Sequence, residues 1–423
     1  MPKKEYGWGS GSIPEIAPHS LAKHRILRQY VETYIRVLTA NPRIDRLRLA
    51  LVDGFAGGGE YVGQGSTIVH PGSPQILLDA TSAAEAAANT TRTKPFTIDA
   101  RFYFVEKDAT TAKYLQSVLC RRPTWHSEAQ KVSILVGEFE SRIDSVLADI
   151  AAGGRANRTI FVLDQYGYTA VPVPLIGRIF NALPNAEVFL TVAVGWITAY
   201  LPTARSAAEK LGIDASVLDR ICQRQDDVFS PEDADRRPDL LAVQRILHHA
   251  FTNSPGSRFY TPFFILSRES NRPYWFLHMA NSRRANDVVK ALHWKLQNHF
   301  EHFGGPGLTM LGYDPQEDPG VTRQSRFVFD DPAMARTRLA LVNEIPRRIR
   351  ELNPSGVSLA DLFGAVSNET PATLSMLGES VRELCLAREL IKTGREGQKR
   401  EPSTATKPDD VIRLSRQRSF SFA

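Results

Sequence analysis

Five short apolar runs, each continuous rather than alternating, limit this chain to an architecture whose sheet is covered on both faces. They are LRLALVD at 47–53, RFYFVEKD at 101–108, VSILVGE at 132–138, RTIFVLD at 158–164 and AEVFLTVAV at 186–194. A strand with one wet face alternates apolar and polar side chains. One that stays apolar is buried on both sides, and helical stretches between such strands are the crossovers of parallel βαβ units. Two further runs, FYTPFFILS at 259–267 and RPYWFLHMA at 272–280, lie only a few residues apart. That gap is too short for a parallel crossover, so they form an antiparallel hairpin. The expected fold is α/β: a Rossmann-like, doubly wound, seven-stranded sheet of five parallel strands finished by an antiparallel pair.

At 423 residues the chain is longer than one core usually organises. A leading helical segment, 1–45, contains a helix at 18–40 with Leu21, Ile26, Tyr30, Tyr34 and Leu38 on one face and Ser20 placed to cap it. The Rossmann-like domain is expected over 46–300, with a charged helical insertion at 198–256 at the end of the sheet where substrates approach. Gly, Pro and Asp mark 301–327 as a linker. A second unit, 328–418, reads as helix, helix, turn, helix and strand, with VIRLSR at 411–416 as a returning strand. Two readings of that unit stand side by side, a winged helix and a small helical cap. Arg395, Lys399, Arg400, Lys407, Arg413, Arg416 and Arg418 suit phosphate contact from a wing, and the same stretch, with EPSTATKPDD, equally suits a disordered tail.

Lys and Arg number 52 against 46 Asp and Glu, a net charge of +6 that is compatible with nucleic acid and far below that of a dedicated binder. No apolar stretch approaches the roughly 18 residues of a membrane span, and no signal core opens the chain, so a cytoplasmic protein is expected. Cys120, Cys222 and Cys385 are scattered, which supports neither a zinc site nor a disulfide framework.

The chemistry gathers at the carboxyl ends of the apolar runs. Asp53-Gly54-Phe55-Ala56-Gly57-Gly58-Gly59 follows the first, with the form D-x-F-x-G-x-G. Residues without a Cβ let backbone approach a ligand closely, so Asp53, Phe55, Gly57 and Gly59 are candidates for holding a nucleoside-like cofactor. The second run ends in Phe104-Val105-Glu106-Lys107-Asp108, where the Glu106 carboxylate can accept hydrogen bonds from a ribose diol. Glu138, in Gly137-Glu138-Phe139-Glu140, is placed for an adenine edge, or equally for the start of a solvent-facing helix by favourable dipole placement. The fourth run delivers Leu163-Asp164-Gln165-Tyr166-Gly167, in which Asp164 and Tyr166 match two of four positions of the D/N-P-P-Y/F motif of base-amine methyltransferases. There the acidic side chain accepts from the target amine and the aromatic ring stacks on the base; Gln165 and Gly167 depart from the motif. Residues 60–73 part the glycine loop from a helix for which Ser73 is a natural N-cap and Pro74 a natural first residue, unlike a dinucleotide fingerprint, and this counts against an NAD-dependent oxidoreductase. Trp275, His278, Asn281, Arg283, Arg284, His293 and Trp294 fit a groove, though amphipathic packing explains the tryptophans more simply.

Taken together, His19-Ser20, Lys23-His24, Tyr30, VDGFAGGGEY, Gly72-Ser73-Pro74, FVEKD, LDQYG and Trp294-Lys295 resemble the three-Cys-motif partner (TcmP) proteins over roughly the first 300 residues. The resemblance implies a methyltransferase fold whose usual fourth-strand motif is DPYG, so Gln165 stands where that family has proline. It implies a genomic partner and no established substrate. A more distant resemblance is to ribosomal RNA adenine methyltransferases with a similar loop. The expected activity is transfer of a methyl group from S-adenosyl-L-methionine to a base amine of a nucleic acid. The alternatives are a noncatalytic component of an antiviral-defence type of system, which senses a nucleotide and binds DNA or a protein partner, and a small-molecule methyltransferase.

Overall fold

In a computed structural model of the chain the described residues are 7–10, 12–154, 158–165, 170–192, 251, 256–267, 272–296, 302–303, 307–308, 326–327 and 329–415. Tyr166, nearly all of the 198–256 insertion, most of 301–327, Arg416 and Arg418 lie outside them. The chain divides into two compact units, Met1–Val288 and Val289–Ala423.

The first unit opens with a 3₁₀ turn, Gly7–Ser10, then α1 (Pro18–Leu38), β1 (Arg46–Asp53), β2 (Glu60–Val62), β3 (Val69–Pro71) and α2 (Ser73–Asn89). Next come β4 (Thr97–Glu106), α3 (Ala109–Cys120), α4 (Trp125–Glu128), β5 (Val132–Val136), α5 (Phe139–Ala152), β6 (Arg158–Leu163), α6 (Val173–Ala182) and β7 (Ala186–Val192). It ends with β8 (Phe259–Ser267), β9 (Arg272–Ala280) and the start of α7 (Arg283–Leu296).

Seven strands form one sheet in the order β5-β4-β1-β6-β7-β9-β8. β5, β4, β1, β6 and β7 pair in parallel, and β9 runs antiparallel between β7 and β8. Continuous burial in β6 and β7 accounts for their unbroken apolar sequences, whereas the edge strand β5 is half-exposed. The order reverses beside β1, and insertion of the last strand next to the fifth makes this the class I methyltransferase sheet. The hairpin 259–280 folds as its sequence spacing requires.

Two capping expectations are corrected. α1 begins at Pro18 with Ala17 as N-cap, so Ser20 lies inside the first turn. Gly72, not Ser73, caps α2: its extended backbone precedes the helix and its carbonyl accepts the Ile76 amide at 3.0 Å, so Ser73 is the first helical residue. Where Leu21 and Leu38 were expected to seat α1, it buries Ile26, Leu27, Tyr30, Val31, Tyr34 and Ile35, with Lys23 also inside. A buried polar triad fixes its rotation. The Tyr30 hydroxyl donates to Glu187 of β7, and His278 of β9 meets the same carboxylate oxygen at 3.1 Å.

In the second unit β10 (His302–Phe303) pairs with β11 (Arg326–Phe327). They are followed by α8 (Asp331–Leu352), β12 (Val357–Ser358), α9 (Leu359–Val366), α10 (Leu374–Leu386), β13 (Leu390–Thr393) and β14 (Val411–Leu414). The last three strands make an antiparallel sheet ordered β12-β14-β13. Its core joins Leu341, Ile345, Leu362, Phe363, Val381 and Ile412. Residues 394–410 form the ordered connection of the β13–β14 hairpin, where Lys392 donates to the Pro402 carbonyl at 3.1 Å and Arg400 pairs with Asp410 at 3.2 Å. Trp294 donates to the Pro371 carbonyl at 2.9 Å, and Trp275, His278 and His293 are also buried, so packing accounts for these four members of the late aromatic cluster.

Candidate functional site

The carboxyl ends of β1, β4 and β6 bring Asp53, Glu106 and Asp164 together. Adjacent parallel strands end in register here, and the reversal of strand order leaves a crevice that crossover helices do not cover.

Asp53 is fully buried. One carboxylate oxygen accepts the Phe55 amide at 3.1 Å, and the other has no hydrogen-bond partner. Burial pushes its carboxyl up to about 7, opposed by the Ser73 hydroxyl and the Phe55 amide and reinforced by Asp164 and Glu106. Glu106 is half-buried and spans two loops: it accepts the Gly57 amide at 3.0 Å and the Asp108 amide at 2.9 Å. Gly57 and Gly59 have φ of +59° and +82°, the left-handed region that glycine enters without a Cβ penalty. The loop is clamped from behind, where Gln75 donates to the Gly59 carbonyl at 2.7 Å.

The glycines also make room for side chains. A Cβ on Gly58 would fall 2.4 Å from the Trp8 indole, one on Gly57 2.9 Å from it, and one on Gly59 2.6 Å from Leu115. Trp8 is buried, donates to the Glu60 carbonyl at 2.8 Å and meets Tyr61 edge-on with centroids 5.3 Å apart. The segment behind it pairs beside β2 through Ile16 and Val62, so Trp8 and residues 12–17 strap the β2–β3 hairpin onto the glycine loop. On the other side Phe55 is half-buried, 6.1 Å from the buried Phe139. Glu138 is exposed at the N-cap of α5 without a side-chain cap bond, the solvent-facing arrangement.

Asp164 carries a partner that the strand-end motif gives no sign of. The Lys23 ammonium reaches both of its carboxylate oxygens, at 2.5 and 2.7 Å. Lys23 stands seven residues before Tyr30, two turns away on the same helical face, so the triad that seats α1 also aims Lys23 at Asp164. Burial raises the Asp164 carboxyl, but Lys23 outweighs that and holds it below the usual carboxylate range. His24 is lowered to about 4 by burial, so its ring is neutral at pH 7. Lys23, His24, Ser73, Asp164, Phe189 and Phe276 border a cavity of about 10 Å³, the space of one water. The next residue, Gln165, is buried, and its side-chain oxygen accepts the amides of Ala170 and Val171, each at 3.0 Å. Its side-chain nitrogen has no partner.

No family model matches this chain, and no curated protein does. Among solved structures, a Legionella pneumophila protein of the DUF519 family overlaps it at 12% identity and a TM-score of 0.37, over 65% of this chain and 91% of the other. A Klebsiella pneumoniae protein named as an O-methyltransferase gives 13% and 0.29, over 66% and 88%. A Streptomyces avermitilis DUF574 protein gives 12% and 0.26, over 60% and 83%. At these values the likeness carries no functional inference; the strand order and the residues at its centre do. Among the described residues no helix is long and apolar enough to cross a membrane, and no group of three His, Cys, Asp or Glu side chains could hold a metal ion.

Proposed function

We propose that this is an S-adenosyl-L-methionine-dependent methyltransferase acting on a base amine of a nucleic acid. The observation that carries the reading is the meeting of Asp53, Glu106 and Asp164 at the strand-order reversal. Glu106 and the half-exposed ring of Phe55 fit a nucleoside: a carboxylate for its ribose and an aromatic wall for its base. When bound, that cofactor supplies an activated methyl group. This chain's task is then to position an acceptor and exclude water, which needs few acid–base groups. Asp164, kept ionised by Lys23, is the acceptor for an N–H group, and the neighbouring Gln165 holds the Ala170 and Val171 amides. Tyr166 takes the stacking role by sequence alone. The same residues, with Lys23 and His24, support membership of the three-Cys-motif partner group. The helix–strand–helix–helix–strand–strand order of the second unit supports a winged helix, with residues 394–410 as its wing.

A second reading has its own support. Lys23 occupies Asp164 and Trp8 covers one face of Gly57 and Gly58, which suits a noncatalytic component that binds a nucleotide and a partner.

Calorimetric titration of the whole protein with S-adenosylmethionine and S-adenosylhomocysteine separates these readings, followed by transfer of labelled methyl groups to nucleic acid. Micromolar binding that weakens at least tenfold in Glu106→Ala, together with transfer, is expected. Binding without transfer to any nucleic acid favours the second reading, and a folded wild type that binds neither compound overturns the first.

A further inference from the structure

A cavity lies away from the carboxyl-edge site, at the amino edge of the sheet. Leu38, Ile44, Arg46, Leu47, Arg48 and Arg158 line about 360 Å³. Leu38 ends α1, Arg46 opens β1 and Arg158 opens β6, so the rim is held by rigid elements.

Its charge is unbalanced. Arg46 meets Asp99 at 2.6 Å and Arg48 reaches the same carboxylate at 3.9 Å, so one acid serves two guanidinium groups. Among the described residues Arg158 is paired with no carboxylate; its neighbour is the buried Tyr34 hydroxyl. The carbonyls at the end of α1 would ordinarily repel an anion. Here Arg92 donates to the carbonyls of Thr39, Asn41 and Ile44 and brings a positive charge to the segment that follows the helix. Guanidinium groups present paired donors that match phosphate oxygens, and Leu38, Ile44 and Leu47 supply apolar wall beneath them. The volume falls within the range of small-ligand sites.

We infer that this cavity is a second binding site, for a phosphate-bearing nucleotide whose phosphate is held by Arg158, Arg46 and Arg48 and whose base lies on the apolar wall. The phosphate belongs either to a free mononucleotide or to the 5′ end of a nucleic-acid strand.

The test titrates the full chain with uridine 5′-monophosphate, with uridine, and with tetrauridylate bearing a 5′-phosphate or a 5′-hydroxyl. Each is repeated in Arg158→Gln and Arg46→Gln and with saturating S-adenosylhomocysteine. The Arg46 side chain is 56% exposed, so its replacement leaves folding intact and keeps the test decisive should Arg158→Gln fold poorly. Saturable binding of a phosphorylated compound is expected, at least tenfold weaker in each folded variant, absent for uridine and indifferent to S-adenosylhomocysteine. Tighter binding of the monophosphate marks a free nucleotide as the ligand, and tighter binding of the phosphorylated tetranucleotide marks a strand end. Absence of saturable binding, or affinities unchanged in the variants, overturns the site. Competition by S-adenosylhomocysteine overturns it too, by directing the nucleotide to the glycine loop. Failure of the methyltransferase reading leaves this outcome untouched, because the two sites share no residue.

Discussion

Replacing Lys23 with Met tests whether α1 is electrostatically locked onto the fourth strand end. At 2.5 Å and an effective dielectric of about 20, the Lys23–Asp164 attraction is about 7 kcal/mol before solvation is counted. Removing two charges from water costs several kcal/mol per ion, and breaking a fully buried pair destabilises by about 3–5 kcal/mol. The Lys23 side chain is 10% exposed but that of Asp164 is 31% exposed, so water stabilises the abandoned carboxylate and the expected loss is about 2 kcal/mol. That corresponds to about 5 °C in the α/β unit's thermal transition. Asp164 is held below its ordinary range, so this stability is present above its unfolded value near 4 and fades as pH falls through the lower folded value. Scanning calorimetry of Lys23→Met, Asp164→Asn and the double variant at pH 7 should give two similar single losses and a double loss no larger than either. Additive losses, or a Lys23→Met transition equal to wild type, would refute the lock.

Asp53→Asn addresses the buried carboxyl whose folded value is raised to about 7. Between its unfolded value and about 7 the folded state keeps a proton that the unfolded state has lost, so wild-type stability falls as pH rises through that window. From pH 5 to 8 the variant should gain on wild type by up to about 3 kcal/mol in urea denaturation, and a pH-independent difference would count against the assignment. Gln165→Ala leaves the Ala170 and Val171 amides without their acceptor and should destabilise by about 2 kcal/mol. Amide exchange at those two residues reads it: at least tenfold faster exchange is expected, and unchanged protection would deny Gln165 its role.

The sheet was legible because strand burial dictates composition. β1, β4, β6 and β7 are apolar along their inner lengths since both faces are covered, and the short gap before Arg272 allows nothing but a hairpin. The site was legible only where it sits on strand ends, as for Asp53, Glu106 and Asp164. Lys23 and Trp8 were not, because contacts from 141 and roughly 50 residues away leave no local pattern. A weak signal for Lys23 did exist: it lies on the helical face of Tyr30, where a lysine must find an anion or stay outside. Phe139, beside Glu138 in the sequence, closes the core behind Gly54, where a Cβ would approach it to 2.9 Å.

The glycine loop therefore means something different from what its sequence suggests. Glycines invite a ligand-binding reading because backbone without Cβ can approach a cofactor. In this chain the spaces at Gly54, Gly57, Gly58 and Gly59 are taken by Leu163 and Phe139, by Trp8, and by Leu115, all from the protein itself. Missing Cβ atoms thus explain how the N-terminal strap and α3 close on the loop, and they would be required with no ligand at all. What a tight turn does not require is a half-exposed carboxylate bridging Gly57 and Asp108, or an unpaired oxygen on Asp53 beneath it. The case for a bound nucleoside rests on those carboxylates, and the glycines bear on it only by shaping the loop that presents them.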